Sequence, residues 1–152
     1  MKPIYSIVIA LFLAWIEPVQ AFQQTNADTL TVEVLGTGAD ARFVPALIQV
    51  APGDLVRFVV IEGMHTVTAY HPDNRRPVRI PESVSAFDSG MLKEGDIWFL
   101  QITKEGIYDY FCLPHERLGH VGRIVAGKEW KTAEYDNSLI PKAAAQTYNS
   151  LP

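Results

Sequence analysis

The 152-residue chain has 13 Lys/Arg against 17 Asp/Glu, a formal net charge of −4, 48% hydrophobic residues and one cysteine. That length and apolar content suit one domain with a real core, and mild acidity without Lys/Arg clusters excludes the electrostatic footprint of a nucleic-acid binder. One cysteine cannot build an internal disulfide framework.

Lys2 is followed by the apolar run IYSIVIALFLAWI, then Glu17, Pro18 and VQA. This order predicts a secretory signal peptide over residues 1–21, cleaved after Ala21. A run of about 13 apolar residues falls short of the roughly 20 that span a bilayer. No cysteine stands at the cleavage point to carry a lipid. The chain is therefore expected to be exported, to the periplasm or beyond, with no membrane span after cleavage. Exported domains use cysteines in pairs, so a lone thiol there points to a special role.

Strand patterns run from Thr29 to Gly127. TLTVEVLG alternates and ends at Gly36; ALIQV follows Pro45 and stops at APGD; LVRFVVI ends at Glu62-Gly63. HTVTAY alternates next, with Val67 and Ala69 on the His65 side. DIWFLQIT, GIYDYF and GRIVAG complete the set. About seven short strands punctuated by Gly and Pro predict an all-β Greek-key sandwich or barrel. Trp98, Phe99, Tyr108, Tyr110 and Phe111 are expected in the core or packed around the site. Between His71 and Gly95 lies a long excursion with room for one short strand or helical turn. Its NRR segment, with Arg79, is expected to be a solvated basic loop. The tail from Lys128 has weak helical character broken by Pro141, with Trp130 as its anchor, and is expected to pack loosely or to be partly disordered.

The chemistry concentrates in YDYFCLPHERLGHVG, where Cys112, His115 and His120 share one loop between two strands. A thiolate and imidazoles converging on a point make a soft site for late first-row metals. Pro114 stiffens the turn, and Gly119 lets the backbone fold back so that His120 returns toward Cys112. A fourth ligand must come from elsewhere, and His65 opens a strand directly after the turn EGM. His71 would share a face with His65, but six extended residues place it roughly 20 Å away, so it is expected at the surface; a weak second site with Asp73 is the sharper alternative.

GIYDYFCLPHERLGHVGRIVAG resembles the C-terminal ligand loop of the cupredoxins, the small blue copper proteins typified by plastocyanin, pseudoazurin and halocyanin. RFVPALIQVAPGDLVRFVV, HTVTAYH and FDSGMLKEGDIWFLQITKEGIYDYFC resemble the segments before it, so the likeness covers about residues 30 to 127. It implies a copper-binding domain over 22–127 and a C-terminal tail over 128–152. His65, Cys112 and His115 would form the trigonal plane of one copper ion, with a weak axial ligand. Family members place methionine at that axial position; here it is His120. Imidazole is a stronger donor than a thioether, so the resemblance implies a lower reduction potential, a weaker copper–thiolate bond and a green, red or yellow colour. Protonation of His120 is expected to change that colour between about pH 5 and 8. Met64 precedes His65 and should point away from the metal. The asparagine that ties the ligand loops together in many relatives is missing, so another residue must hold them.

The function this implies is a one-electron carrier rather than an enzyme. Redox partners would dock near His115, Leu113, Pro114 and Leu118, with Glu116 and Arg117 as a polar rim. The alternatives are a copper site with an open position for a small molecule such as nitric oxide, a copper-storage or delivery protein, and a structural zinc site of one Cys and three His.

Overall fold

The computed structural model describes residues 27–128 and 135–151; the expected signal peptide and Trp130 lie outside the described residues. The strands are β1 (Thr29–Leu35), β2 (Arg42–Val44), β3 (Leu47–Val50), β4 (Leu55–Val60), β5 (Met64–His65), β6 (Thr68–Ala69), β7 (Leu92–Lys93), β8 (Ile97–Gln101), β9 (Gly106–Phe111) and β10 (Val121–Ala126), followed by helix α1 (Lys142–Ser150). One sheet has the order β2-β1-β4-β8, the other β3-β10-β9-β6, and β5 pairs with β7 in a separate two-stranded ribbon. The chain crosses from one four-stranded sheet to the other between β2 and β3, β3 and β4, β4 and β6, β6 and β8, and β8 and β9. This is the sandwich of the two expected architectures, and it does not close into a barrel.

Alternation makes the core. Val32 and Val34 on β1, Val56, Phe58 and Val60 on β4, Tyr108 and Tyr110 on β9, and Ile124 on β10 meet between the sheets. Side chains two apart share a face, so Cys112, one residue past β9, continues the inward row of Tyr108 and Tyr110 and joins the core at one end of the sandwich.

The outer face of the β9–β10 sheet is covered as well. Tyr70, Phe111 and Val121 pack there against Ile140, Ala144 and Tyr148 of the tail. Coverage on both faces explains why β9 is buried along almost its whole length, the pattern of a strand with no solvent side. Of the expected tail, the described residues 135–151 include the helical part, and they are packed rather than loose: α1 closes a second apolar cluster. Its Pro141 sits at the helix N-cap, so the proline starts the helix rather than interrupting it.

Three other expectations fail here. HTVTAY is two short strands, β5 and β6, in different sheets, because the chain turns from the ribbon into the β9 sheet at Thr66-Val67. Phe99 is exposed, because alternation along β8 turns Trp98 and Leu100 inward and leaves Phe99 on the solvent face. Arg79 is 1% exposed rather than solvated. The excursion supplies one face of a buried ion cluster: Asp109 on the outward side of β9 accepts from Arg79 Nε (2.8 Å) and from Arg123 Nε and Nη2 (2.7 and 2.9 Å). The Arg79 guanidinium also lies 4.7 to 5.4 Å from the ring centres of Tyr148, Tyr135 and Tyr70. Buried charges persist only when paired, and this one is.

Candidate metal centre

Four donors converge at the end of the sandwich where Cys112 enters the core. One donor atom each from His65, Cys112, His115 and His120 lies within 4.8 Å of all the others. Cys112 Sγ is 3.7 Å from His65 Nδ1 and 3.4 Å from His115 Nδ1. His65, Cys112 and His120 are buried, and His115 is half-buried.

The register of the β9–β10 hairpin explains the spacing of the loop ligands. Val121 pairs with Phe111, so the next rung places His120 opposite Cys112, and the Cys112 N–H donates to the His120 carbonyl (3.0 Å). The His115 N–H in turn donates to the Cys112 carbonyl (3.0 Å), a tight turn that brings His115 back beside the sulfur. His65 arrives from the β5–β7 ribbon. Its Nε2 is 2.8 Å from the Glu62 carbonyl and 3.0 Å from the Gly36 carbonyl. Two acceptors make Nε2 the protonated nitrogen and leave Nδ1 bare toward the sulfur, the usual second-sphere control of a metal-binding imidazole. Gly63 has φ +86°, and a Cβ there would stand 2.9 Å from both the Gly36 carbonyl oxygen and His65 Nε2; that close approach requires glycine.

The missing asparagine tie has a replacement that no sequence pattern announced. Thr66 Oγ1 accepts from the Leu113 N–H (2.8 Å), and the Thr66 N–H donates to Cys112 Sγ (3.4 Å). One residue thus joins the His65 segment to the Cys112 loop. The Thr66 hydroxyl continues through Thr68 (2.8 Å) to Asp88 (3.1 Å). Met64 is exposed, facing away from the donors as expected. His71 stays outside the group: its Nδ1 accepts from the Asp73 N–H (3.2 Å) and caps a short 3-10 turn. Glu116, expected at an exposed rim, is instead 2% exposed and bound to Arg76.

The site fits a metal on its own terms. Both ring nitrogens of His120 are buried without a hydrogen-bond partner, and Phe43 packs on its ring at 4.0 Å between centroids. A buried polar atom left unpaired costs about 1–3 kcal/mol, so this imidazole is placed for a ligand the protein does not itself supply. Burial pushes the Cys112 thiol up from its ordinary value, which keeps it protonated until a metal displaces the proton. Burial, with His65 beside it, holds His115 below the ordinary imidazole value. Burial, then His65 and His115, holds His120 down to about 2.

That last shift belongs to the metal-free protein, in which an imidazole sealed behind Phe43 does not titrate between pH 5 and 8. It predicts a different pH dependence in the metal-free protein. His120 binds a proton near pH 6.5 when unfolded and not until about pH 2 when folded, so the unfolded state holds the extra proton in between. Stability is thus full above about pH 6.5 and falls as pH drops below it, by up to about 1.4 kcal/mol per pH unit. Denaturant midpoints at pH 7 and pH 5 measure this; the loss should shrink in His120→Leu, and equal pH slopes for the two proteins would contradict it.

An open two-sheet sandwich with a buried Cys-His₃ group at one end defines a small mononuclear metalloprotein of cupredoxin type. Residues 30–127 match the family described as copper binding proteins, plastocyanin/azurin family, and the chain belongs to it; copper is its metal. It is 32% identical to pseudoazurin from Paracoccus pantotrophus over 103 residues, covering 66% of this chain and 65% of that protein, so it spans just under two thirds of that relative. Pseudoazurin from Methylorubrum extorquens is 29% identical over 121 residues, 74% of this chain and 72% of that one. The crystal structure of pseudoazurin from Methylobacterium extorquens AM1 shares the fold with a TM-score of 0.61 and 23% identity, over 80% of this chain and 94% of that one.

Proposed function

We propose that this protein is an exported one-electron carrier whose copper is held by His65, Cys112 and His115, with His120 as the fourth ligand. The observation that carries the reading is the closed set of four donors, three of them buried and His120 with no other partner. When bound there, copper supplies reversible exchange of one electron. The protein's part is to keep that exchange cheap in rearrangement. Thr66 and the hairpin hold the donors in place, Gly36 and Glu62 fix the His65 ring, and Phe43 excludes water from His120. His115 is the ligand nearest solvent, and Leu113, Pro114, Arg117 and Leu118 beside it are exposed, which suits docking of a redox partner through that edge. Export rests on the reading of residues 1–21, and no described helix is long and apolar enough to cross a membrane.

The carrier is favoured over the open, small-molecule site because the position that family members give to a weak thioether is filled here by a buried imidazole. Voltammetry of the copper-loaded protein tests this. One reversible one-electron wave is expected, unchanged by azide; a catalytic wave or an azide-shifted spectrum would favour the open site. His120→Met should raise the potential and deepen the blue colour. The shift should be about 59 mV for each tenfold by which imidazole favours the oxidised ion, and an unmoved potential would remove His120 from the ligand set.

A further inference from the structure

The loop from His115 to His120 is held from outside as well as from the metal side. We propose that helix α1 and the Arg76–Glu116 pair form a brace on this loop, and that Thr147 and Glu116 are positioning residues that fix how His115 and His120 meet the copper. The proposal rests on the ligand assignment above and deepens it.

The contacts fall beside each loop ligand, not on the donor atoms. Glu116, directly after His115, is bound by Arg76 at 2.9 and 3.0 Å through Nε and at 2.5 Å through Nη2. The same guanidinium lies 5.0 Å from the ring centre of Phe111, the residue before Cys112. Thr147 Oγ1 on α1 is 3.1 Å from the carbonyl of Gly119, the residue before His120, and 3.2 Å from the Ala143 carbonyl of its own helix, so it bridges helix and loop. A Cβ on Gly119, which has φ +90°, would come within 2.9 Å of Thr147 Oγ1 and 3.3 Å of the Ala143 carbonyl oxygen, so the helix lies flush on the turn. Tyr148 Oη reaches the carbonyls of Tyr110 and Gly122 (2.9 and 3.2 Å), two residues outside Cys112 and His120 on either strand.

The excursion is shaped to deliver its half. Arg75 has φ 58° and ψ 39°, a left-handed conformation disfavoured for a non-glycine residue. It persists because the backbone on both sides is tied: Asn74 Nδ2 donates to the Ala69 and Phe87 carbonyls (2.9 and 3.2 Å), and the Arg76 N–H donates to the His71 carbonyl (3.1 Å). Arg75 is the left-handed C-cap of the turn Pro72–Asn74, and the tied turn presents the next residue, Arg76, to Glu116 beside the ligand loop.

The test uses the full copper-loaded chain with Thr147→Val, Thr147→Ser and Arg76→Gln, and Gln146→Ala on the exposed side of α1 as control. The copper hyperfine splitting in EPR and the reduction potential should move in Thr147→Val and Arg76→Gln, return toward wild type in Thr147→Ser, and stay unchanged in Gln146→Ala. In the metal-free chain, amide exchange over residues 116–120 should speed up roughly fivefold in Thr147→Val, the weight of one net hydrogen bond. If Arg76→Gln fails to fold, Thr147→Val carries the test alone. Wild-type splitting, potential and exchange in folded Thr147→Val overturn the brace and leave the ligand assignment standing. A wild-type protein that takes up no copper overturns both.

Discussion

Cys112→Ser is expected to abolish the coloured centre outright while leaving the fold intact. Serine is near the size of cysteine, and its position in the core row that continues β9 is buried. What vanishes is the soft anionic donor. A serine hydroxyl does not ionise under the conditions that ionise a metal-bound thiol, and the three imidazoles left form a harder, neutral site. The thiolate-to-copper absorption should disappear completely. Copper affinity should fall by at least about 100-fold, beyond what is typical even of losing an outer-sphere partner. Thermal unfolding of the metal-free variant should stay cooperative, with a loss of no more than about 1–3 kcal/mol for the buried hydroxyl. A variant that kept an intense visible band would show that the colour arises elsewhere and would sink the ligand assignment.

Asp109→Ala should produce a large loss of stability although it lies away from the donors. Asp109 is fully buried and is the shared counter-ion of Arg79, itself 1% exposed, and Arg123. Its removal leaves two guanidinium groups under the tail with no carboxylate, and breaking such a buried pair costs about 3–5 kcal/mol. Tyr148, Tyr135 and Tyr70 around Arg79 offer ring faces but no negative charge. Asp109→Asn should cost less, since the amide oxygen still accepts. Denaturant unfolding measures both; a loss under about 1 kcal/mol in Asp109→Ala would mean the arginines reach solvent and the tail is not packed as described. Removing Asp109 should also loosen α1, so the potential is expected to move with the stability.

How much of this was legible beforehand depended on how local the signal was. Cys112, His115 and His120 lie within one hairpin connection, and His65 follows a turn that could be read from Glu62-Gly63. The three loop donors, and the alternation that builds the core, could therefore be found from spacing. His65, 47 residues from Cys112, was assigned through the resemblance of its strand to the family's first-histidine segment. Thr66 could not be found by either route: a threonine in a strand has a dozen ordinary reasons to be there, and its tie to Leu113 exists only once two segments 47 residues apart meet. Arg79 and Glu116 misled for the same reason in reverse. Charge predicts exposure unless a partner is near, and their partners, Asp109 and Arg76, are 30 and 40 residues away in sequence. Phe99 was misplaced because adjacent strand residues face opposite ways, and a run of apolar residues such as Ile97–Leu100 does not show which of its faces meets the core. The depth of His120 was not legible either, because it depends on Phe43, on a strand that the sequence did not mark as one.

X-ray absorption at the copper edge of the oxidised protein tests the central claim most directly. One sulfur and three nitrogen scatterers at bonding distance are expected, with the sulfur absent from Cys112→Ser and one nitrogen lost from His120→Leu. A first shell of nitrogen and oxygen alone in the wild-type protein would contradict the account, because it would place the metal away from the only thiol in the chain.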